Sequence, residues 1–120
     1  MESAAVLVVG MAELDGIVTR EHKIEIVELF ISEFRVTRTV AAEMYASSSH
    51  MLKDIVNIVD EVKNILTPTR TQYENRHVDS LMMMLSRVSH SEGEPTKIQL
   101  DFLNAVENEL GKAYEQPQKW

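Results

Sequence analysis

Asp15 and Glu92 are the side chains whose surroundings most suggest chemistry. Each stands directly before a glycine, Gly16 or Gly93, and each falls where an apolar helical run stops. A carboxylate at a helix C-terminus meets the negative end of the helix dipole, which costs about 0.3–1 kcal/mol. A compensating partner is therefore expected. A divalent cation such as Ca²⁺ or Mg²⁺, held by carboxylates and loop carbonyls, is one such partner. The alternative is that each carboxylate accepts N–H bonds from its own turn or caps the helix that follows. Neither loop carries the alternating oxygen ligands and closing Glu of an EF-hand. His22 and His90 flank the two turns, so His22, His90, Asp15 and Glu92 together form a candidate transition-metal set. The other reading is that both are ordinary imidazoles, as for His50 and His77, and no two histidines have the spacing of a helical metal motif.

Other chemistries find little support. The chain has no cysteine, so thiolate catalysis, disulfides and zinc–sulfur sites are excluded. There is no Gly-x-Ser-x-Gly elbow and no phosphate-cradling glycine loop. The expectation is a protein that is not an enzyme and has no catalytic residues. Met82, Met83 and Met84 lie inside an apolar helical run and read as core before they read as a soft-metal site. The net charge of −7 comes with no dense run of Lys and Arg. Nucleic acid is not an expected partner. An acidic surface suits cations or basic protein partners, and self-association is a further possibility.

The elements that must position these residues are helical. Four glycines and three prolines in 120 residues leave little room for hairpins. The expected fold is an all-α compact bundle of six to seven helices, one domain over 1–111 with a polar tail over 112–120. Helix one spans 3–14; its residues Val6, Leu7, Val9, Gly10 and Leu14 are apolar or small around most of the cylinder, so it is expected to be central. Gly10 and Ala12 allow close approach of a neighbour. The opening run is too short to span a membrane and has an acid where a signal sequence has basic residues, so it reads as a buried helix; a chain without cysteine suits a reducing cytoplasm, the expected location.

Helix two is expected over 19–34, capped by Thr19, with Ile24, Val27, Phe30, Ile31 and Phe34 as its buried stripe. Glu21, Glu25 and Glu28 lie on a solvated face. A short helix over 39–46, with Val40, Ala41, Met44 and Tyr45 facing inward, is expected to break at Ser47, Ser48 and Ser49. The next helix covers 50–66 with a stripe that includes Leu52, Ile55, Val56, Val59, Val62 and Leu66. Thr67-Pro68 reads as the cap and first residue of a helix over 69–89. The last helix starts at Pro95 or Thr96, where Thr96 and Gln99 fit a capping box. Its core residues are Ile98, Phe102, Leu103, Val106 and Leu110, and Gly111 is the expected stop.

The chain shows the same design twice: a helix, an acidic residue and glycine, a turn, a second helix. The first copy reads Ala12-Glu13-Leu14-Asp15-Gly16-Ile17-Val18-Thr19-Arg20-Glu21-His22; the second reads Ser91-Glu92-Gly93-Glu94-Pro95-Thr96-Lys97-Ile98-Gln99. In this the chain resembles the TerB-like family, the helical domain of tellurite-resistance protein TerB and of the DjlA co-chaperone. The likeness runs from about residue 5 to 111. It implies two helical pairs facing each other about a pseudo-two-fold axis. It also implies a link to stress or tellurite resistance and a cation site made by acidic residues. Asp15, Gly16 and Gly93 carry over directly, and Glu92 stands where the family has Asp. The family's Glu, seven residues after the Asp, is His22 in the first copy and Gln99 in the second. The two paired Glu positions do not carry over; the candidate metal residues are Asp15, Glu92 and His22.

Overall fold

The computed structural model describes residues 2–14, 18–68, 73–91 and 93–118, with 112–118 described as backbone only. Six helices account for most of these residues: α1 Glu2–Glu13, α2 Arg20–Phe34, α3 Arg38–Leu52, α4 Ile58–Leu66, α5 Asn75–His90 and α6 Lys97–Gln118. No strand occurs among them. None of the described helices is long and apolar enough to cross a membrane.

Local sequence explains several helix starts. Thr19 accepts the His22 N–H at 3.1 Å and Thr37 accepts the Val40 N–H at 3.2 Å, each satisfying a donor that the first turn leaves without a helical partner. Asn57 opens α4 by accepting from Val59 and Asp60. The expected capping box at α6 is present. The Thr96 N–H donates to Gln99 Oε1 at 2.9 Å, and the Gln99 N–H donates to Thr96 Oγ1 at 3.3 Å.

Helix α1 is the axis of the core, as its composition predicts. Every residue from Ser3 to Ala12 is buried, and α1 touches α2, α3, α4 and α5. Gly10 makes room for the start of α4. A Cβ built there runs into the Ile58 side chain at the start of α4. On the other helices the buried positions fall on one face: Ile26, Val27, Leu29 and Phe30 on α2; Leu81, Met84, Leu85 and Val88 on α5; Phe102, Val106 and Leu110 on α6. Phe30 and Phe34 stack with ring centroids 5.3 Å apart. The methionines of α5 are core, with Met84 fully buried and Met82 and Met83 packed at its edge.

Several expectations are corrected. Ser47, Ser48 and Ser49 do not break a helix; α3 runs through them to Leu52. Ser48 is buried and Ser49 donates to Glu13 Oε2 of α1 at 2.8 Å, so packing against α1 outweighs the preference of serine for caps. The chain turns instead between Lys53 and Asn57, which leaves Val56 wholly exposed at 101%. Thr67 does not cap the following helix. It closes α4, with its hydroxyl donating to the Lys63 carbonyl at 2.6 Å. The expected helix over 69–89 begins only at Asn75; the part of it over 69–72 lies outside the described residues. Gly111 does not stop α6, whose backbone continues to Gln118. Ile24, Val40 and Ile98 are 50%, 40% and 42% exposed, not core. On α2 the buried face centres on Ile26 and Val27, so Ile24 falls outside it. Glu21, Glu25 and Glu28 are exposed as expected, and Glu28 pairs with Arg38 at 2.6 Å.

Candidate functional site

Two hydrogen bonds fix how α2 lies on α5. His22 Nε2 meets Ser91 Oγ at 2.8 Å. Eleven residues further along α2, Glu33 Oε1 accepts from Ser80 Oγ at 2.7 Å, and Ser80 lies eleven residues back from Ser91. The two helices are therefore antiparallel. One end of the pair carries the start of α2 and the C-cap of α5. These are the segments that follow Gly16 and precede Glu92.

Asp15 and Glu92 themselves lie outside the described residues, but the residues beside them are placed. Leu14, next to Asp15, lines a cleft of about 300 Å³ together with Gly10, Glu13, Leu52, Ile58 and Ile98. Ile98 belongs to the first turn of α6, just after the second turn. The cleft and the His22–Ser91 bond thus bring the flanks of both acidic turns to one end of the molecule. Gly93 stands at φ 118°, a conformation that disfavours any side chain.

The tautomer of His22 follows from its neighbour. Ser91 has one hydroxyl proton, and Ser91 Oγ donates it to the Val88 carbonyl at 2.9 Å. In the contact with His22 the hydroxyl oxygen accepts, so His22 Nε2 carries the hydrogen and the neutral ring keeps its lone pair on Nδ1. His90 has the opposite arrangement. Its Nδ1 donates to the Ser86 carbonyl at 2.8 Å, which leaves the lone pair on Nε2. Each ring has one nitrogen oriented by a protein oxygen and one able to ligate a metal, the pattern common in metal-bound histidines. Among the described residues no group of three His, Asp or Glu side chains is close enough to hold a metal ion. Of the sequence-derived candidates, His22 is placed beside Ser91, whereas Asp15 and Glu92 fall outside the described residues.

Nearby, Glu13 both accepts from Ser49 and acts on Tyr45. Burial pushes the Tyr45 phenol above its usual pKa, and the negative charge of Glu13 adds to the rise. Lys23 of α2 lies over the Tyr45 ring, 5.3 Å from its centroid.

Ser91 was missed by the sequence reading. A serine that ends a helix has no distinguishing local signal, and its link to His22 spans 69 positions. His77 has a structural role: its Nδ1 accepts the Glu74 N–H at 3.2 Å and helps start α5. His50 is exposed near the end of α3. Comparison with protein-family models, with curated proteins and with solved structures finds no match to this chain.

Proposed function

We propose that the protein is a non-enzymatic TerB-like binding module that takes up a divalent cation at the end of the molecule where its two acidic turns begin. The observation that carries this reading is the His22 Nε2–Ser91 Oγ hydrogen bond of 2.8 Å. It joins the segment after Asp15-Gly16 to the residue before Glu92, and it leaves His22 Nδ1 as a ligand nitrogen. Asp15 and Glu92 supply the carboxylates. A set that includes an imidazole favours Zn²⁺ or Mn²⁺ over Ca²⁺, which prefers oxygen ligands alone. The packing of α1 on α5, the first helices of the two units, is consistent with a paired arrangement. The TerB-like resemblance connects such a module to stress or tellurite resistance.

Calorimetric titration with Zn²⁺, Mn²⁺, Ca²⁺ and Mg²⁺ tests the reading. Binding is expected for Zn²⁺ or Mn²⁺, with loss in the Asp15→Asn, Glu92→Gln double variant while the helical circular dichroism stays unchanged. Absence of heat and of thermal shift with all four cations overturns it.

A second reading, a protein-interaction domain without metal, is favoured by the rim of the neighbouring cleft. Val56 and Ile98 both line it and both are exposed. Under this reading Val56→Asp with Ile98→Asp abolishes association measured by light scattering, and cation titrations remain silent.

A further inference from the structure

The opposite end of the α2–α5 pair holds a second cavity, of about 500 Å³, formed by the last turn of α2, the first half of α5 and the start of α1. Its size falls in the range of small-molecule sites. Ala4, Phe34, Leu81 and Met84 provide an apolar floor. The polar groups around it have a surplus of donors. Glu33 takes the Ser80 hydroxyl at 2.7 Å. The Tyr73 hydroxyl is engaged with Ser3 Oγ at 2.7 Å. Arg76 commits its Nε to Glu74 at 3.0 Å, leaving its two terminal nitrogens. His77 accepts the Glu74 N–H on Nδ1, so its proton is on Nε2.

Arg35 stands apart from these. It lines the cavity, and among the described residues it has no ionic partner. It is also the only described residue other than glycine with positive φ, at 54°. Glycine occupies such a helix-ending position at lower cost. The chain thus places an arginine, at the mouth of a cavity with an apolar floor, where the backbone conformation favours glycine. The cavity's two guanidinium groups outnumber its one carboxylate, and Glu74 partly neutralises Arg76. With Arg76 set against Glu74, the lining keeps two charges without an ionic partner among the described residues, the Arg35 guanidinium and the Glu33 carboxylate, and Glu33 already holds the Ser80 hydroxyl.

We propose that this cavity binds a small organic carboxylate, with the carboxylate on the Arg35 guanidinium and the hydrocarbon on Phe34, Leu81 and Met84. A single guanidinium suits a monoanion better than a phosphate dianion, because Glu33 in the same lining repels a dianion about twice as strongly as a monoanion. The site is separate from the His22–Ser91 end, so it stands or falls independently of cation binding there.

Titration with octanoate, 1-octanol and inorganic phosphate tests the proposal, followed by calorimetry and by amide chemical shifts. Octanoate is expected to bind and to shift amides of residues 33–36 and 73–84, leaving those of His22 and Ser91 in place. The neutral alcohol is expected to bind roughly tenfold more weakly or worse, since it lacks the charge-assisted bond, and phosphate not at all. Arg35→Gly is the decisive variant, because the two roles of Arg35 predict opposite effects. It weakens octanoate by about tenfold or more, while the melting temperature is unchanged or raised as the strained backbone is relieved. Arg35→Lys retains part of the affinity. Equal binding of octanoate and 1-octanol, no binding of octanoate, or full octanoate affinity in Arg35→Gly each overturns the proposal.

Discussion

A methyl group on Gly10 would meet the Ile58 side chain, and a branched one would meet Leu52 as well. The site sits in α1, where Ser3 to Ala12 are all buried and neighbouring helices close in from several sides. Gly10→Val is therefore expected to lower stability by about 1–3 kcal/mol, the usual cost of overpacking. Adding Ile58→Ala should recover part of the loss, as read from denaturant midpoints. Phe102 has the reverse problem. It is fully buried, and Phe102→Ala is expected to cost about 3–5 kcal/mol through lost transfer energy and the cavity left behind. An exposed pair such as Glu28–Arg38 contributes far less. Its partners are 50% and 66% exposed, and Glu28→Gln should change stability by less than about 1 kcal/mol.

For the helices, caps and continuity decide where elements begin and end. The reciprocal bonds of Thr96 and Gln99 define the start of α6. Thr96→Ala is expected to cost about 0.5–2 kcal/mol in chemical denaturation. At the other end, α6 passes through Gly111, where an added Cβ meets nothing within 4 Å. Gly111→Ala should therefore stabilise the protein, by up to about 1 kcal/mol, through higher helix propensity and a less flexible unfolded chain. A fall in stability would show that Gly111 has a role its open surroundings do not reveal. The same competition explains α3. Ser47, Ser48 and Ser49 look like a break because serine favours caps, but Ser49 gives its hydroxyl to Glu13 and Ser48 is buried, so the helix continues.

Across the whole molecule, two phenols, Tyr45 buried and Tyr73 half-buried, tie stability to alkaline pH. Burial raises Tyr73 above the usual value near 10, with its bond to Ser3 acting against the rise. Burial and then Glu13 raise Tyr45. A raised acid in the folded state holds its proton longer than the unfolded chain does. Stability from both groups is therefore intact below about pH 10 and is lost as pH rises towards their folded values. Thermal melts should show a steeper decline above pH 10 for the native chain than for the Tyr45→Phe, Tyr73→Phe double variant. Parallel curves would remove the phenols as the cause.

The two ends of the α2–α5 pair also show how much was legible in advance. The sequence marks the His22 segment by the Asp15-Gly16 pair before it, but not its bond to Ser91, 69 positions away. The cavity at Arg35 could not, because it is assembled from parts of α1, α2 and α5 that no local pattern connects.

What the residues determined alone was the helical class, the burial of α1 and the caps at Thr19 and at Thr96 with Gln99. Those features depend on side chains and backbone groups within a turn of one another, and on the period of apolar residues along one helix. Tertiary structure decided which apolar residues stay outside, with Val56, Ile24 and Ile98 exposed. It also decided that α3 outlasts its serines, and that His22 meets Ser91 and Ser3 meets Tyr73 across 69 and 70 positions. Contacts over such distances exist only once whole helix faces have docked, and the docking minimises exposed apolar area summed over all the helices, which no single segment encodes.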